Sequence, residues 1–380
     1  MISSTISSQR TSRSLFYEWW RSIDHITLAF LICLIGTGLI LSMAASPAAA
    51  SRLGVNNPFY FLYKHLLFAS AGLLGAFFIS LMSPVNARRI GVLTLVGTII
   101  LLFFVLFMGI EVKGSTRWLR FPGFSLQPSE FAKPGFIVMA AWMFSVTKKD
   151  PAVPSVFIVF VTYLILIGLL IPQPDFGQSF LLTLCFAAIF FFAGLSLSWM
   201  LFMMGSSLAG AFGAYLFFPH VQSRVNRFLS PDSGDSYQTD RALEAIGNGG
   251  FFGRGPGEGA VKYTLPDGHT DFIFAVTVEE FGFLISLLVI ILLAGFVIRC
   301  FRNALKLNDY FCQLAVAGLA TMIGMQTIVN LYVNLNMAPP KGMTLPFISY
   351  GGSSMLALCF SAGLILAFTR RRPGAYGYGD

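Results

Sequence analysis

Long hydrophobic runs, separated by short polar segments, dominate the chain. Most runs are about 20 residues long, which is the length that an α-helix needs to cross the hydrocarbon core of a membrane. We therefore predict an all-α polytopic membrane protein, with about ten transmembrane helices in a single domain over residues 26–369. The predicted spans are 26–45, 60–82, 91–110, 131–147, 153–171, 178–195, 199–218, 272–298, 310–333 and 349–369.

Two polar connections between the predicted spans are too long to be simple turns. Residues 111–130 mix basic and aromatic side chains, as expected for a segment at a membrane surface. Residues 219–270 form a large loop between spans seven and eight, and this loop contains a glycine-rich stretch. Within it, Thr239 is placed to cap a short helix that Gly247 would end.

Composition agrees with the membrane class. Of the 380 residues, 56% are hydrophobic and 11% are charged, whereas an ordinary soluble domain has about 25% charged residues. The five cysteines have neither metal-ligand nor disulfide-framework spacing, so we interpret them as apolar packing residues. The first run precedes an alanine-rich segment that resembles a signal-peptidase site. It exceeds the ~7–15 residues of a signal core, and we interpret it as a retained span.

The charge distribution predicts an orientation. The net charge is +8, and with the N-terminus inside, the whole basic excess falls on the cytoplasmic side. Because short cytoplasmic loops are enriched in Lys and Arg, residues 1–25 and 370–380 are predicted to be cytoplasmic tails. Three consecutive arginines, 370–372, either anchor this topology or recruit other proteins, and anchoring is the simpler interpretation.

Asp271 lies where the glycine-rich loop meets the eighth predicted span. Because Thr270 is placed to cap the incoming helix, we expect Asp271 in the first turn, where the helix dipole favours a negative charge. Stabilisation of the helix start would explain an acid at this position. Ionisable groups that enter lipid are usually functional, however, so catalysis by Asp271 is the alternative.

Other polar groups also have two interpretations. Glu279 and Glu280 lie deeper in the same predicted helix, where they either form ion pairs with Lys133 or an arginine, or shape a hydrophilic cavity. Asp175, in a short outer turn, is expected to pair with a loop arginine. His269 is either a structural residue or an acid–base partner of Asp271.

Basic residues in the outer connections raise a further question. They are either ordinary loop charges, balanced by nearby acids, or a surface for an anionic ligand such as a lipid pyrophosphate. The glycine run 247–259 has neither of the spacings found in nucleotide-binding loops, so a nucleotide site is excluded there. The four histidines form no metal-ligand set.

Five motifs, in order along the chain, resemble the SEDS family of bacterial cell-wall polymerases, which act in shape, elongation, division and sporulation. They are KGSTRWLRFPGFSLQPSEFAK at 113–133, PQPDFGQS at 172–179, IGNGGFFGRGPGEG at 246–259, LPDGHTDFIFAVTVEEFG at 265–282 and KGMTLPFISYGGSS at 341–354. The resemblance covers residues 24–372. The last motif is more similar to the division member of the family than to the elongation member.

The resemblance implies an inverting glycosyltransferase that polymerises lipid II into glycan strands during septal wall synthesis, at the outer face of the bacterial cytoplasmic (inner) membrane. By the same resemblance, Asp271 is the catalytic carboxylate, which removes the proton from the acceptor hydroxyl. Undecaprenyl diphosphate then leaves beside fixed cations. The residues that we assign to substrate or diphosphate binding are Arg117, Lys133, Glu280, Arg254, Lys262, His269 and Lys341.

The implied partners are the lipid-linked glycan, a class B penicillin-binding transpeptidase of the FtsI type and other membrane proteins of the division machinery. Nucleic acid is not an expected partner. A divalent cation, Mg²⁺ or Mn²⁺, would share the diphosphate charge, but the sequence contains no dedicated ligand cluster and establishes no cofactor. Two rival functions remain, a flippase that carries lipid II outward and a non-catalytic scaffold of the division complex.

Overall fold

The structure is a computed structural model, and it describes residues 15–112, 115–121, 124–194, 237–340 and 342–371, with scattered residues between 198 and 226. Its helices are α1 Leu15–Ser22, α2 His25–Arg52, α3 Tyr60–Leu81, α4 Pro84–Met108, α5 Pro128–Lys149, α6 Ser155–Leu170, α7 Phe176–Phe192, α8 Tyr237–Gly249, α9 Ile273–Ala304, α10 Tyr310–Asn334 and α11 Gly352–Thr369. Three short strands are β1 Ile110–Val112, β2 Ser115–Phe121 and β3 Phe124–Leu126, and a 3₁₀ turn covers Val261–Tyr263.

Six helices of the described part are long and apolar enough to cross a membrane, namely α2, α3, α4, α9, α10 and α11. Helices α6 and α7 are apolar but shorter. The predicted class, an all-α polytopic membrane protein, is confirmed. Nine of the predicted spans coincide with helices, whereas the seventh, 199–218, lies largely outside the described residues. The count of ten spans therefore stays a prediction.

The centre of the bundle is formed by α10 and α11. In each, 78% of the most apolar window is buried, compared with 28% in α4 and in α9. Helix α5 packs against both α4 and α10, and α3 runs along α11. Gly363 permits that last contact, because a Cβ at this position would lie 2.8 Å from Cα of Ala76. Close approach at small residues is how membrane helices commonly pack.

Both described ends of the chain lie at one end of the bundle. Asp24 caps α2 and accepts a hydrogen bond from Nε of Arg299, near the end of α9, at 2.9 Å. Arg370, which follows α11, donates from Nε to the hydroxyl of Ser22 at 2.6 Å. The region before α2 and the region after α11 are therefore on the same side, as the charge pattern predicts for the two tails.

The large loop lies at the opposite end. Nη1 of Arg52, the last residue of α2, donates to the carbonyl of Leu265 at 2.7 Å. Helix α8 within this loop was predicted between Thr239 and Gly247, but it extends over Tyr237–Gly249. Thr239 is therefore inside the helix rather than its cap, and Gly247 does not end it.

A three-stranded antiparallel sheet, in the order β1-β2-β3, occupies the connection between α4 and α5. Ile110 pairs with Trp118, and Leu119 pairs with Leu126. Sequence analysis predicted a surface segment here but no strands. The sheet carries Arg117 on β2 towards the loop end of the bundle.

Helix α9 is interrupted at Gly282, where φ is +80° and ψ is 176°. The break leaves main-chain groups without helical partners, and the glycine-rich loop supplies them. The amides of Arg254 and Gly255 donate to the carbonyls of Glu279 and Glu280, at 2.9 and 3.0 Å. The part of α9 before Gly282 is therefore fastened to the loop, as buried main-chain polar groups require.

Candidate active site

Asp271 lies at the junction between the large loop and α9, but it precedes the helix. Helix α9 begins at Ile273, and its N-cap residue, Phe272, makes no side-chain hydrogen bond to it. The hydroxyl of Thr270 donates instead to the carbonyl of Asp267, at 3.2 Å. The expectation that Thr270 caps the helix, with Asp271 in its first turn, is therefore wrong. Asp271 therefore lies just before the first turn of α9 rather than inside it.

The main-chain carbonyl of Asp271 is held by two side chains of α10. Nδ2 of Asn330 donates to it at 2.8 Å, and Nδ2 of Asn334 donates to it at 3.0 Å. Both asparagines are buried. The backbone at Asp271 is thus anchored to the central helix of the bundle rather than to the loop alone.

Arg117 and Asp271 face the same glycine. A Cβ at Gly342 would lie 3.3 Å from Nη1 of Arg117 and 3.9 Å from Oδ2 of Asp271. The guanidinium and the carboxylate therefore border one small space at the loop end of the bundle. Gly342 has a φ of +66°, a conformation that a side chain would strain.

Arg117 is also joined to the turn before α7. Nη2 of Arg117 donates to the carbonyl of Pro174 at 2.9 Å, and Nη1 lies 3.4 Å from Oδ1 of Asp175. The predicted pairing of Asp175 with a loop arginine is confirmed. Burial raises the pKa of the Asp175 carboxyl above its ordinary value of 3.8, and the Arg117 guanidinium opposes that rise.

Lys133 lies on α5 in a buried polar network. Its ammonium donates to Oε2 of Glu130 at 2.7 Å and to Oε1 of Gln326 at 3.3 Å. Glu130 also accepts a hydrogen bond from Gln178, at 2.7 Å. The Lys133 side chain is 2% exposed, so its contacts are with the protein interior. A role at the diphosphate stays a prediction.

Glu280 pairs with Lys262, across the loop, and both side chains are buried. Lys133 or an arginine was the expected ion-pair partner of Glu279 and Glu280, and for Glu280 this prediction is wrong. Glu279 accepts hydrogen bonds from the main-chain amides of Ala260 and Val261, at 2.9 and 2.8 Å. Lys262 and Glu280 thus fasten the loop to α9, and substrate binding by either residue stays a prediction.

The other predicted site residues lie around this centre. Arg254 is exposed, and its Nε donates to the carbonyl of Asn248 at 3.4 Å. His269 is buried and packs between Phe61 and Tyr350, with ring centroids 4.4 and 5.7 Å away. This packing favours the structural interpretation of the histidine.

Two further predictions concern Lys341 and a bound divalent cation. Lys341 lies outside the described residues, although its neighbour Gly342 borders Asp271. Within the described part of the chain, no group of three or more His, Cys, Asp or Glu side chains could hold a metal ion.

Residues 24–373 match the FtsW/RodA/SpoVE family, which is described as cell cycle proteins. The chain belongs to this family. It is 48% identical, over 368 residues, to a probable peptidoglycan glycosyltransferase FtsW of Caulobacter vibrioides, covering 97% of this chain and 94% of that protein. It is 36% identical to a probable peptidoglycan glycosyltransferase FtsW of Trichlorobacter lovleyi, covering 90% and 92%. The predicted similarity to the division member is confirmed.

Solved structures agree with this assignment. A structure described as structural coordination of polymerization and crosslinking by a peptidoglycan synthase complex superposes with a TM-score of 0.74 and 25% identity, covering 92% of this chain and 98% of that one. The rod shape determining protein RodA of Thermus thermophilus superposes with a TM-score of 0.69 and 27% identity, covering 92% and 97%. The multi-pass membrane fold is shared with both.

The asparagines that hold Asp271 were not among the predicted site residues. Asn330 and Asn334, with Gln326 before them, recur every four residues within an apolar helix. Such a spacing places three amide side chains on one face. Amide side chains in membrane helices tend to hydrogen-bond to neighbouring elements, so this pattern was the available signal.

Proposed function

We propose that this chain is a peptidoglycan glycosyltransferase that polymerises lipid II at the outer face of the cytoplasmic membrane. The observation that carries the proposal is that the Asp271 carboxylate and the Arg117 guanidinium border the same small space at Gly342. The family membership and the names of the relatives support the reaction class. Glycosyl transfer requires a base and a cation at one point, and these two side chains provide them.

The proposed reaction is a single displacement. Asp271 takes the proton from the 4-hydroxyl of the GlcNAc of the incoming lipid II, and this oxygen bonds to the MurNAc anomeric carbon of the growing chain. The bond from that carbon to the diphosphate breaks, its electron pair leaves with undecaprenyl diphosphate, and the configuration inverts. A positioned base contributes about 10²–10⁴-fold to such a rate.

Arg117 supplies fixed positive charge beside the departing diphosphate. Preorganised charge is effective in such a step because the protein does not have to reorganise as the charge develops. Lys133 is almost completely buried, and its ammonium contacts Glu130 and Gln326. We assign it a secondary electrostatic role. A divalent cation would act with Arg117 by sharing the diphosphate charge.

A class B penicillin-binding transpeptidase of the FtsI type is the proposed partner, together with other division proteins at the septum. The similarity to a peptidoglycan synthase complex supports a partner synthase. We also propose that both tails are cytoplasmic. In support, the bundle end that holds Ser22 and Arg370 is opposite the end that holds Asp271.

A polymerisation assay tests the proposal. The purified chain and its transpeptidase partner receive lipid II in detergent, and glycan strands are measured for wild type, Asp271→Asn and Asp240→Asn. Asp240 is an exposed acid of the same loop and serves as the matched control. We expect strands from wild type and Asp240→Asn and none from Asp271→Asn.

Three other outcomes would contradict the proposal. Equal product from wild type and Asp271→Asn would remove this carboxylate from the mechanism. No product from any variant, together with lipid II translocation in liposomes, would identify a flippase. No product and no translocation, with the partner still bound, would identify a scaffold.

A further inference from the structure

Three amide side chains form a row on one face of α10. Gln326, Asn330 and Asn334 are spaced by four residues, and all are almost completely buried, with exposed fractions of 1%, 1% and 0%. We call these three residues the amide row. A buried amide costs free energy unless its donors and acceptors are satisfied, so the contacts of the row indicate what it holds.

The middle and last members of the row hold the backbone of Asp271. Asn330 donates both to the carbonyl of Asp271, at 2.8 Å, and to the carbonyl of Met343, at 2.7 Å. Asn334 donates to the same Asp271 carbonyl at 3.0 Å. The main-chain oxygen of Asp271 thus accepts hydrogen bonds from two buried donors. Through Asn330, Asp271 is also linked to Met343, in the segment that follows Gly342.

Asn334 also replaces the missing cap of α9. The first amides of a helix have no partner within the helix, and a side chain at the N-cap position commonly satisfies one of them. Here the N-cap residue is Phe272, which offers no acceptor, and Oδ1 of Asn334 accepts from the amide of Ala275 at 3.1 Å. Helix α9 is therefore capped by a different helix.

Gln326 extends the row to Lys133 and to the segment after Gly342. Its Nε2 donates to the carbonyl of Thr344 at 3.1 Å, and its Oε1 accepts from Lys133 at 3.3 Å. The row as a whole contacts the Asp271 backbone, the start of α9, residues 343–344 and α5. Residues 343–344 directly follow Gly342, which borders the space that Arg117 and Asp271 share.

We propose that Asn330 and Asn334 are positioning residues, which set the placement of the Asp271 carboxylate relative to Arg117 and the departing diphosphate. Asp271 lies between a turn and a helix, so no regular secondary structure fixes its backbone. The two asparagines supply the missing constraint from α10, a central helix of the bundle. This inference rests on the proposed function, and the experiment below separates the two.

The test measures kcat and KM for lipid II in the complex with the transpeptidase partner, using Asn330→Ala and Asn334→Ala. The matched control is Asn303→Ala, since Asn303 is a buried asparagine at the other end of α9 that donates to Asp24 at 2.9 Å. A misplacement of about 1 Å can lower a rate about a hundredfold. We expect kcat to fall about tenfold to a hundredfold for both row variants, with KM within about twofold of wild type.

Thermal unfolding separates positioning from folding. We expect the unfolding temperatures of the row variants to fall about as much as that of Asn303→Ala, which keeps the wild-type kcat. Because the cavity that alanine leaves at a fully buried site can prevent folding, Asn330→Leu and Asn334→Leu are measured as well. Leucine keeps about the size of the asparagine side chain, but it has no donor for the carbonyl of Asp271. We expect the same loss of kcat.

Two results would overturn the inference. A wild-type kcat in the folded row variants would show that the asparagines serve stability alone, and equal losses of kcat in Asn303→Ala would show a general effect of lost packing. If instead Asp271→Asn polymerises lipid II as well as wild type, the proposed function fails. A fully active set of row variants beside an inactive Asp271→Asn would refute only the positioning role.

Discussion

The guanidinium of Arg117 is bound to the carboxylate of Asp175, with Nη1 of the arginine 3.4 Å from Oδ1 of the acid. Asp175 is completely buried, whereas 14% of the arginine side chain is exposed. Strand β2 is thereby joined to the start of α7. The arginine that borders Asp271 is thus held in place by an acid from a third element.

We expect Asp175→Asn to weaken both the fold and the reaction, because the variant keeps the shape of the acid but removes the charge that orients Arg117. Loss of one partner of a buried pair costs about 3–5 kcal/mol, and the partial exposure of Arg117 places the expected loss below that range. The polymerisation rate should fall by about tenfold or more.

Unfolding and lipid II polymerisation measure these two effects. The control is Glu244→Gln, which breaks the exposed pair of Arg241 and Glu244 on α8 and should leave both quantities unchanged, because exposed pairs contribute little. A fully active Asp175→Asn would show that Arg117 needs no orienting acid.

The buried pair of Lys262 and Glu280 predicts a compensating double variant. Lys262→Met or Glu280→Leu alone leaves an uncompensated buried charge, and each should destabilise the protein by about 3–5 kcal/mol. Combining them removes both charges and should recover much of that loss. The unfolding free energies of the single and double variants together give the interaction free energy between Lys262 and Glu280.

The same variants test whether this pair binds substrate. If Lys262 fastens the loop, polymerisation should recover with stability in the double variant. Recovered stability without recovered activity would assign Lys262 to the substrate instead.

Replacement of Gly282 should be severe. Alanine at φ +80° is strained by about 1–3 kcal/mol, and its Cβ would lie 2.4 Å from the carbonyl oxygen of Phe251 and from the amide of Gly253. We expect Gly282→Ala to lower the unfolding temperature strongly. Gly97→Ala, in α4, is the control, because nothing lies within 4 Å of its Cβ position. If Gly282→Ala lowered the unfolding temperature as little as Gly97→Ala does, the interruption of α9 at Gly282 would be contradicted.

The contact of Asp24 with the end of α9 predicts a pH dependence of stability. Burial alone would raise the pKa of the Asp24 carboxyl, but hydrogen bonds from Arg299, Thr27 and Asn303 outweigh it and hold the pKa well below the ordinary 3.8. Because the folded pKa is the lower one, this stabilisation is complete at neutral pH and begins to be lost as the pH falls below about 4.

Unfolding temperatures of wild type and Asp24→Asn between pH 7 and pH 3 measure this contribution. We expect wild type to be more stable at pH 7 and the difference to shrink towards pH 3. A difference that grows on acidification would reverse the sign of the pKa shift.

The long apolar helices could be predicted from the sequence because most of their runs are long enough to cross a membrane. The contact between Asp175 and a loop arginine could also be predicted, since a buried carboxylate needs a cationic partner. Strands β1 to β3 could not, because their hydrogen bonds join short segments without a strong alternating pattern.

Only part of the candidate site could be predicted from the sequence. Asp271 stands out because an ionisable group at the point where a span should enter lipid is unusual. The partner of Glu280 depends on how the glycine-rich loop folds back, and no local pattern encodes that path. The roles of Asn330 and Asn334 depend on which backbone lies opposite α10, so their spacing alone indicates a polar face but not the carbonyl that it binds.

The interruption at Gly282 divides α9 into a part long enough to cross a membrane and a part that contacts the glycine-rich loop. The part of α9 after Gly282 is about 33 Å long at 1.5 Å per residue, enough to cross a hydrocarbon layer of about 30 Å without the part before it. The residues before the glycine are therefore not needed for crossing, and the loop amides bind the carbonyls of Glu279 and Glu280 there. The backbone of the acid that precedes them is held by Asn330 and Asn334 of α10.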